Sequence, residues 1–377
     1  MFFLTTGTVP LFLGAFVYSG IRLFRFLKQF FPGIKKLVFW LLYSLLPALF
    51  LAGIWLPVSV FDKIITNIGF AYMGFLIIAI MLLAAAELVR AFLHIIRKLP
   101  EKGAKRRRAH IISGFSIIII SIIVFTAGII NASEVDTTEY SVEIKKSCSA
   151  GDLRVVQLAD IHIGYQQSTD KIKRVVEAVN AQNPDVVVIS GDVFDGGLDE
   201  VFDLTRIKSE ISKINTKYGV FACLGNHDMF TPALETFFSE CGITLLTDEA
   251  VLVADSFYVV GRNDRNLETF RREDREELSE IIRGIDKTKP IIVLDHRPQS
   301  IEESAENGVD LLLCGHSHAG QTFPITLITH SIYEVNYGLA VFGDMSMVVT
   351  SGTGLWGPPT RIGTDSEIVV IDVRFSV

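Results

Sequence analysis

The sequence predicts an α/β protein in two parts, an N-terminal region of four transmembrane helices followed by a two-sheet α/β domain. Four apolar stretches of roughly 20 residues or more, the length a helix needs to cross a bilayer, fill the first 130 residues. From Leu153 onward, short apolar strands alternate with helical segments, which is typical of a parallel sheet with helical crossovers. From Thr322 to Val377, β-branched residues and turns rich in Gly and Pro predict a second sheet.

The apolar stretches define the first part of the chain. The first stretch has no basic segment before it and no small-residue cleavage site after it, unlike a secretory signal peptide. We assign residues 1–130 to the transmembrane region, 131–151 to a polar linker with a short strand at Tyr140–Ile144, and 152–377 to the α/β domain. The four stretches are Phe2–Ile21, Leu37–Val60, Ile64–Val89 and Ile111–Ile130.

Charge in the loops orients this region. The loop after the first stretch carries five Lys or Arg, and the loop after the third carries eight against the single Glu101. Asp62 and Lys63 are the only charged residues between the second stretch and the third. Because basic loops stay in the cytoplasm, we expect the amino terminus and the α/β domain outside. The sequence therefore predicts a multi-pass plasma-membrane protein whose α/β domain is extracytoplasmic.

Charge and cysteine content argue against several functions. The net charge of −7 divides into 14 Lys/Arg against 3 Asp/Glu in residues 1–130 and 21 against 39 in the remainder. An acidic domain repels phosphate polymers, so nucleic acid is not expected as a partner. The four Cys include no C-x-x-C pair, so neither a thiolate zinc site nor a redox motif is predicted. Glu87 is the one candidate for a transport path, and its spacing to Arg90 favours an ion pair instead.

Strands and helices of the α/β domain follow one another closely. The strands between residues 243 and 261 are consecutive and are expected to be antiparallel at a sheet edge. Before the final strand, the predicted strands are Leu153–Ala159, Val186–Ser190, Val220–Leu224, Ile243–Leu246, Ala250–Ala254, Ser256–Gly261, and those leading into His296 and Gly315; the final strand is Glu367–Phe375. The predicted helices are Thr169–Gln182, Glu200–Asn215, Thr231–Cys241, Glu268–Arg283 and Ser300–Asn307.

Five of the apolar strands end on polar residues that can bind a metal. In open α/β sheets, ligands bind at the carboxyl ends of strands, so the five ends predict one shared site. Gly315 is expected to allow a tight turn, after which His316 and His318 point to one side if the chain stays extended. The five segments read LRVVQLADIH from Leu153, DVVVISGD from Asp185, GVFACLGNHD from Gly219, PIIVLDH from Pro290 and DLLLCGHSH from Asp310.

These motifs, in the order D-x-H, GD, GNHD, a single His and GH-x-H, resemble those of the calcineurin-like metallophosphoesterase family. The resemblance covers about Leu153 to Phe375. The LDHRP around His296 and the Gly-rich SGTGLWGPPTRIG are similar to the membrane-anchored bacterial branch. The resemblance implies an α/β/β/α sandwich for the α/β domain, with the four helices as an addition.

The resemblance also implies two divalent metal ions per chain. Donors of Asp, Asn and His without a thiolate suit Mn, Fe or Zn. Two such ions about 3.5–4 Å apart can activate a water and hold both oxygens of a phosphoryl displacement. Their charge makes hydroxide available near neutral pH. The implied ligands are Asp160, His162 and His318 for one ion, Asn226, His296 and His316 for the other, and Asp192 as a bridge.

Two further residues are implied as catalytic. His227 follows a ligand, and by the resemblance it approaches the leaving oxygen as general acid or transition-state stabiliser. Asp228, where many members of the family have Glu, is expected to orient His227. For Arg361, a contact to substrate phosphate and a surface salt bridge are both open.

The sequence thus predicts a membrane-anchored, metal-dependent hydrolase of phosphomonoesters or phosphodiesters, acting through a metal-activated hydroxide. The expected partner is a phosphoester substrate, and the membrane anchor suggests a lipid or cell-envelope component. The alternative is a metal-stabilised membrane sensing or binding module without hydrolytic activity. The sequence does not distinguish oligomeric states.

Overall fold

Each of the four apolar stretches contains a helix in the computed structural model. The connection between the last two is shorter than the predicted basic loop, because Lys and Arg are good helix formers and extend both helices. The helices are α1 (Val9–Leu27), α2 (Lys36–Trp55), α3 (Val60–Ile95) and α4 (Ala104–Ser133). The structure describes residues 9–55, 60–100, 103–164, 168–228, 230–265 and 275–376, so the start of the first predicted stretch lies outside the described residues.

Two helices have the length and hydropathy of a membrane span. They are Lys63–Ile95 and Ala104–Ser133, with 33 and 30 residues, and the most apolar 18-residue window of each has a mean hydropathy of 2.4. Only 28% and 11% of their most apolar windows is buried. Such exposed apolar surface is unfavourable in water and indicates a lipid or protein contact. The described residues therefore support membrane association through two of the four predicted spans.

The chain divides into two units, Met1–Ile130 and Asn131–Val377. The second unit contains two β-sheets, and the strand that begins at Asp136 belongs to the first of them. The segment predicted as a linker therefore belongs to this unit, and 9 of its 21 residues form a strand that is longer than the predicted Tyr140–Ile144.

Six strands form the first sheet: β1 (Asp136–Ile144), β2 (Leu153–Leu158), β3 (Val186–Ser190), β4 (Val220–Cys223), β5 (Ile243–Leu245) and β12 (Glu367–Phe375). Their order is β1-β12-β2-β3-β4-β5. Strands β2 to β5 are parallel, as the alternation with helices predicts. Strand β12 is parallel to β1 and antiparallel to β2.

Six further strands form the second sheet: β6 (Glu249–Val253), β7 (Phe257–Gly261), β8 (Ile291–Leu294), β9 (Leu311–Cys314), β10 (Gly338–Phe342) and β11 (Met345–Val349). Their order is β10-β11-β9-β8-β7-β6. The four inner strands are parallel. An antiparallel pairing closes each edge, β6 with β7 and β10 with β11.

Helices cover the outer faces of the two sheets. The first sheet packs against α5, α6 and α7 through Val176, Ile207 and Phe238, and the second packs against α8 and α9, including Leu278. The inner faces meet over an apolar core that includes Phe257, so the layers are helix, sheet, sheet and helix. These helices, with α10 outside the layers, are α5 (Thr169–Ala181), α6 (Leu204–Ile211), α7 (Pro232–Glu240), α8 (Leu278–Ile281), α9 (Ile301–Glu306) and α10 (Ile325–Ile332).

The mixed α/β prediction with two sheets is confirmed, but the prediction for residues 322–377 is wrong in two respects. Residues Ile325–Ile332 form α10 although β-branched residues favour strands. Strand β12 joins the first sheet rather than the second. Its pairing, for example Val369 with Gln157, joins residues far apart in sequence, so no local pattern signals it.

Three smaller predictions also need correction. Strand β5 is parallel to β4 in the first sheet, and only β6 and β7 form the expected antiparallel pair. Helix α6 is shorter than the predicted Glu200–Asn215. Of the predicted helix Glu268–Arg283, residues 268–274 lie outside the described residues, and the remainder contains only the single turn α8.

Candidate metal centre

The ends of five strands meet at one place in the second unit. Strands β2, β3 and β4 are neighbours in the first sheet, and β8 and β9 are neighbours in the second. Backbone hydrogen bonds join the loops that follow them. The Asp160 N–H donates to the Gly191 carbonyl over 3.0 Å, and the Gly315 N–H donates to the His296 carbonyl over 2.9 Å. Parallel strands present their carboxyl ends on one side, which is why residues so distant in sequence converge.

The first cluster consists of Asp160, His162 and His318. The ring nitrogens Nε2 of His162 and His318 are 3.0 Å apart, and His318 Nε2 lies 3.5 Å from Asp160 Oδ1. One ligand atom of each of the three residues lies within 4.8 Å of those of the others. This spacing matches donors around a single ion.

The second cluster contains His296, His316, Asn226 and Asp192. His296 Nε2 is 3.1 Å from Asp192 Oδ2, 3.3 Å from His316 Nδ1 and 3.2 Å from Asn226 Oδ1. The same Asp192 oxygen lies 3.9 Å from His162 Nε2 of the first cluster. Asp192 therefore stands between the clusters, and the structure brings all seven predicted ligand side chains together.

Several of these residues have an unusual backbone. The φ angles of Asp160, His162, Asp192, His316 and His318 lie between 48° and 70°, the left-handed region that non-Gly residues seldom adopt. Strained backbone of this kind concentrates at functional sites, where the surrounding contacts maintain it. The chain does not stay extended after Gly315, so the condition under which His316 and His318 would point to one side is not met.

Gly315 is needed for close approach rather than for a turn. A Cβ atom at this position would lie 2.5 Å from Asp160 Oδ2 and 2.7 Å from the Ala159 Cβ. The absence of a side chain lets the His316 N–H donate to both Asp160 carboxylate oxygens, at 3.1 and 2.9 Å. The glycine thus positions Asp160 against the end of β9.

Residues 153–320 match the family model of calcineurin-like phosphoesterases. An uncharacterized metallophosphoesterase of Campylobacter jejuni is 30% identical over 267 residues, which are 69% of this chain and 69% of that protein. The chain belongs to the calcineurin-like phosphoesterase family. The resemblance of the five motifs is thereby confirmed.

Two other relatives have names that mention a membrane region or an activity. A Danio rerio protein named transmembrane protein with metallophosphoesterase domain is 32% identical over 273 residues, 68% of this chain and 62% of that protein. The Escherichia coli phosphodiesterase YaeI is 26% identical over 241 residues, 60% of this chain and 83% of that protein. The match to the zebrafish protein thus spans less than two thirds of that protein's length.

The charged groups of the centre shift one another's pKa. Burial raises the pKa of Asp160 to about 6. Burial also acts to raise the pKa of Asp192, but His296 outweighs it and holds that pKa below its usual range. Burial acts to lower the pKa of His162, and the hydrogen bond and charge of Asp195 outweigh it, raising the pKa to about 9. Asp192 does the same for His296, whose pKa is raised to about 10.

The other two rings are shifted in the opposite direction. Burial, together with the charge of His296, lowers the pKa of His316 to about 2, and burial lowers the pKa of His318 well below its usual value. Metal ligands must be deprotonated. His316 and His318 therefore offer unprotonated nitrogens at neutral pH. His162 and His296 are protonated at that pH and must lose a proton before they can bind a metal ion.

The residues fit the divalent ions on which this family depends. Buried carboxylates and imidazoles, with no thiolate in either cluster, suit Mn, Fe or Zn. His318 Nδ1 is buried and has no hydrogen-bond partner among the described residues. Its Nε2 faces the first cluster. The donor chemistry and spacing therefore agree with an ion in each cluster.

Asp195 is a residue of the centre that the motifs do not reveal. Its Oδ1 lies 2.6 Å from His162 Nδ1, so it fixes the ring orientation and directs Nε2 to the cluster. Asp195 also belongs to a third group of close ligand atoms with His162 and His227. The one signal for it in the sequence is its place three residues after Asp192.

His227 lies beside the centre as expected, but Asp228 does not orient it. The His227 ring is 5.1 Å from that of His162, and its backbone N–H donates to Asp192 Oδ1 over 2.8 Å. The Asp228 carboxylate instead accepts backbone N–H groups of Gly225 at 2.9 Å and Phe194 at 2.9 Å. Asp228 therefore holds the loops after β3 and β4 together.

Arg361 has neither of the roles considered from the sequence. It is 1% exposed, and its Nη2 donates to the carbonyls of Ser351, Gly352 and Gly354 at 2.7, 3.0 and 2.9 Å. The Gly354 N–H in turn donates to the Asp160 carbonyl over 2.8 Å. Arg361 thus supports the Gly-rich loop behind the first cluster.

Proposed function

We propose that this protein is a membrane-anchored phosphoesterase that uses two divalent metal ions to hydrolyse a phosphomonoester or phosphodiester. The observation that carries the proposal is the convergence of seven metal-binding side chains from five strand ends. Asp160, His162 and His318 hold one ion; the other ligands are Asn226, His296 and His316, with Asp192 shared. When bound, the two ions supply an activated water and neutralise charge on the phosphoryl group.

Residues of the chain supply the remaining functions. His227 sits beside the first cluster, where a leaving oxygen would depart. Burial lowers its pKa, so the neutral ring offers one N–H to that oxygen. Trp356, 50% exposed, lies with its ring 5.9 Å from that of His227, and it provides an apolar wall at the same side of the centre.

An exposed apolar helix beside the centre supports a lipid substrate. Helix α10 has no buried residue, and Leu327, Ile328 and Ile332 are 61%, 55% and 64% exposed. Residues 319–333 contain no Asp, Glu, Lys or Arg. Directly after α10, the ring of Tyr333 lies 6.1 Å from that of His316. Such a surface next to a phosphoryl-binding site suits a substrate with an acyl or isoprenoid chain.

The test is hydrolysis by the full-length protein, after chelation and addition of Mn²⁺, of an aryl phosphate and its bis-ester. Asp192→Asn removes one negative charge shared by both clusters, and His318→Ala removes a ligand of the first. We expect each to reduce turnover at least about a hundredfold, because ligand loss impairs both positioning and charge stabilisation.

The matched control is His330→Ala, since His330 is exposed on α10 and is not part of either cluster. It should leave hydrolysis of the small aryl esters unchanged. Full activity in either ligand variant would contradict the proposal. Metal bound in a two-to-one ratio with no hydrolysis of either ester would point instead to a metal-stabilised binding module.

A further inference from the structure

The four N-terminal helices line a partly open cavity that the proposed hydrolysis does not use. Its volume is about 450 Å³, within the roughly 300–1,000 Å³ range of small-molecule sites. All four helices contribute, for example through Arg25 on α1, Tyr43 on α2, Leu83 on α3 and Ser121 on α4. The cavity lies entirely within the first unit.

The cavity has an excess of positive charge. Arg22, Arg25 and Arg90 all line it. Glu87 pairs with two of them, at 2.8 Å to Arg22 and 2.7 Å to Arg90, and it also accepts the Tyr18 hydroxyl at 3.1 Å. Arg25 has no ion pair with any carboxylate in the described part of the chain. Glu87 therefore balances two of the three guanidinium groups at most, while Arg25 is exposed and unpaired within the described ranges, and a bound anion would restore the balance.

The rest of the lining is apolar, with a few polar groups that lack partners. Phe75, Leu76 and Ile117 contribute hydrocarbon surface. Ser121 is fully buried, and its hydroxyl has no hydrogen-bond partner among the described residues. Gln29 Oε1 lacks a partner in the same way. Buried polar groups are normally paired, and an unpaired one that lines a cavity indicates a ligand or an ordered water.

We propose that this cavity binds a phosphate-bearing membrane lipid. Arginine presents a planar fork that matches phosphate oxygens, and basic pockets between transmembrane helices accommodate lipid head groups. The phosphate lies against Arg25 and Arg90, Gln29 Oε1 accepts a head-group hydroxyl, the Ser121 hydroxyl donates to an ester oxygen, and the chain contacts Phe75 and Ile117. This inference is independent of the proposed hydrolysis, because it rests only on the first unit.

The experiment uses the full-length protein in mild detergent and measures retained lipid by native mass spectrometry and thermal unfolding. The probes are phosphatidylglycerol, phosphatidylcholine, glycerol 3-phosphate and inorganic phosphate. We expect phosphatidylglycerol to be retained and to raise the unfolding temperature. Phosphatidylcholine, whose choline cation faces the arginines, and the two soluble phosphates should bind at least about tenfold more weakly.

Arg25→Gln should weaken phosphatidylglycerol binding about tenfold, the effect of one strong charge-assisted contact. Ser121→Leu should have a similar effect, because the larger side chain fills the cavity without changing charge. The control Arg108→Gln removes a charge from an exposed residue of the same basic region outside the cavity. Equal losses in Arg25→Gln and Arg108→Gln would overturn the proposal in favour of diffuse attraction. Equal binding of phosphatidylglycerol and inorganic phosphate would overturn it in favour of a chain-independent phosphate site.

Discussion

At the scale of single residues, the centre depends on side chains that do not touch the reacting atoms. Asp195 directs His162 through a 2.6 Å contact, and Asp228 joins two loops through backbone N–H groups. Metal-ligating histidines commonly have such a carboxylate behind them, and its loss costs roughly 10–100-fold in metal affinity or activity. Substitution of Asp195 therefore measures how much such a carboxylate contributes to metal affinity.

Asp195→Ala should weaken Mn²⁺ binding, and the deficit should grow with pH. Asp195 raises the pKa of His162 to about 9, so below that pH the proton competes with the metal in the native protein. In the variant the ring of His162 is no longer oriented, which weakens Mn²⁺ binding. The ring also no longer retains a proton at pH 7, which favours Mn²⁺ binding and partly offsets the loss of affinity. Above about pH 9 the offset disappears, and we expect the full loss of about 10–100-fold.

The measurement is Mn²⁺ affinity by calorimetry between pH 6.5 and 9.5. Asp195→Asn keeps an acceptor for His162 and should recover part of the affinity, while the exposed Asp199→Ala should match the unmodified protein. A deficit that does not vary with pH would show that Asp195 only orients the ring of His162 and does not hold its proton. In the metal-free protein, the raised pKa of His162 stabilises the fold below about pH 6.5, and this contribution is lost as pH rises through about 9.

The nine centre residues named from the sequence all lie at or beside the two clusters of candidate ligands, because each follows an apolar strand whose end is easily recognised. Asp195 was missed because a lone Asp three residues beyond a motif has no distinctive pattern. The role expected of Asp228 is wrong for a related reason. Its sequence neighbour is His227, but folding brings Gly225 and Phe194 to its carboxylate instead, and adjacency in sequence carries no such information.

At the scale of elements, α10 is where local sequence and fold disagree most. Its residues ITLITHSI favour a strand by propensity, yet they form a helix whose apolar side chains remain exposed. Strand β12 was similarly misplaced, because its partners are set by contacts between distant segments. The inner strands are predicted correctly from the sequence, because a fully buried strand is a continuous apolar run that can be recognised without its partners.

Helix α10 should matter for lipid substrates and not for soluble ones. The double variant Leu327→Ser, Ile328→Ser removes two large exposed apolar side chains. Burial of each in a lipid surface contributes about 1.5–3 kcal/mol, so we expect hydrolysis of a phospholipid in vesicles to fall at least about tenfold. Hydrolysis of aryl phosphate in solution, measured in parallel, should be unchanged.

Leu252→Ser provides the matched control, because Leu252 is also exposed, at 37%, and lies on β6 at the edge of the second sheet. Its effect on vesicle hydrolysis should be small. Equal reduction of lipid and aryl substrates by the α10 variant would instead mean that the helix supports the centre itself.

At the scale of the whole molecule, charge divides the chain as strongly as structure does. Residues 1–130 are basic and apolar, and the remainder is acidic. The Lys and Arg of residues 1–130 are concentrated in the loops after the first and third apolar stretches, while the loop between the second and third is nearly neutral. Basic loops are retained on the cytoplasmic side of a membrane. This asymmetry is the basis for proposing that the metal centre faces away from the cytoplasm.

Thiol labelling tests this orientation. In a Cys148→Ser background, where the three remaining cysteines are buried, we introduce Lys145→Cys on the second unit or Arg108→Cys in the basic region. Lys145 has a side chain that is 76% exposed, and its surface pair with Asp344 contributes little. A membrane-impermeant maleimide should label Lys145→Cys in intact cells or spheroplasts, and Arg108→Cys only after permeabilisation. The reverse pattern would place the centre in the cytoplasm.

The pairing of β1 has a consequence for how the protein is made. Strand β1 emerges from the ribosome soon after α4, yet β12 separates it from β2 in the finished sheet, with pairs from Asp136–Glu367 to Ile144–Phe375. During synthesis β1 therefore has no β12 to pair with until almost all of the second unit has been translated. Maturation of this unit is then necessarily a late event in biogenesis, and a nonsense codon ahead of β12 would leave a product whose first sheet cannot be completed.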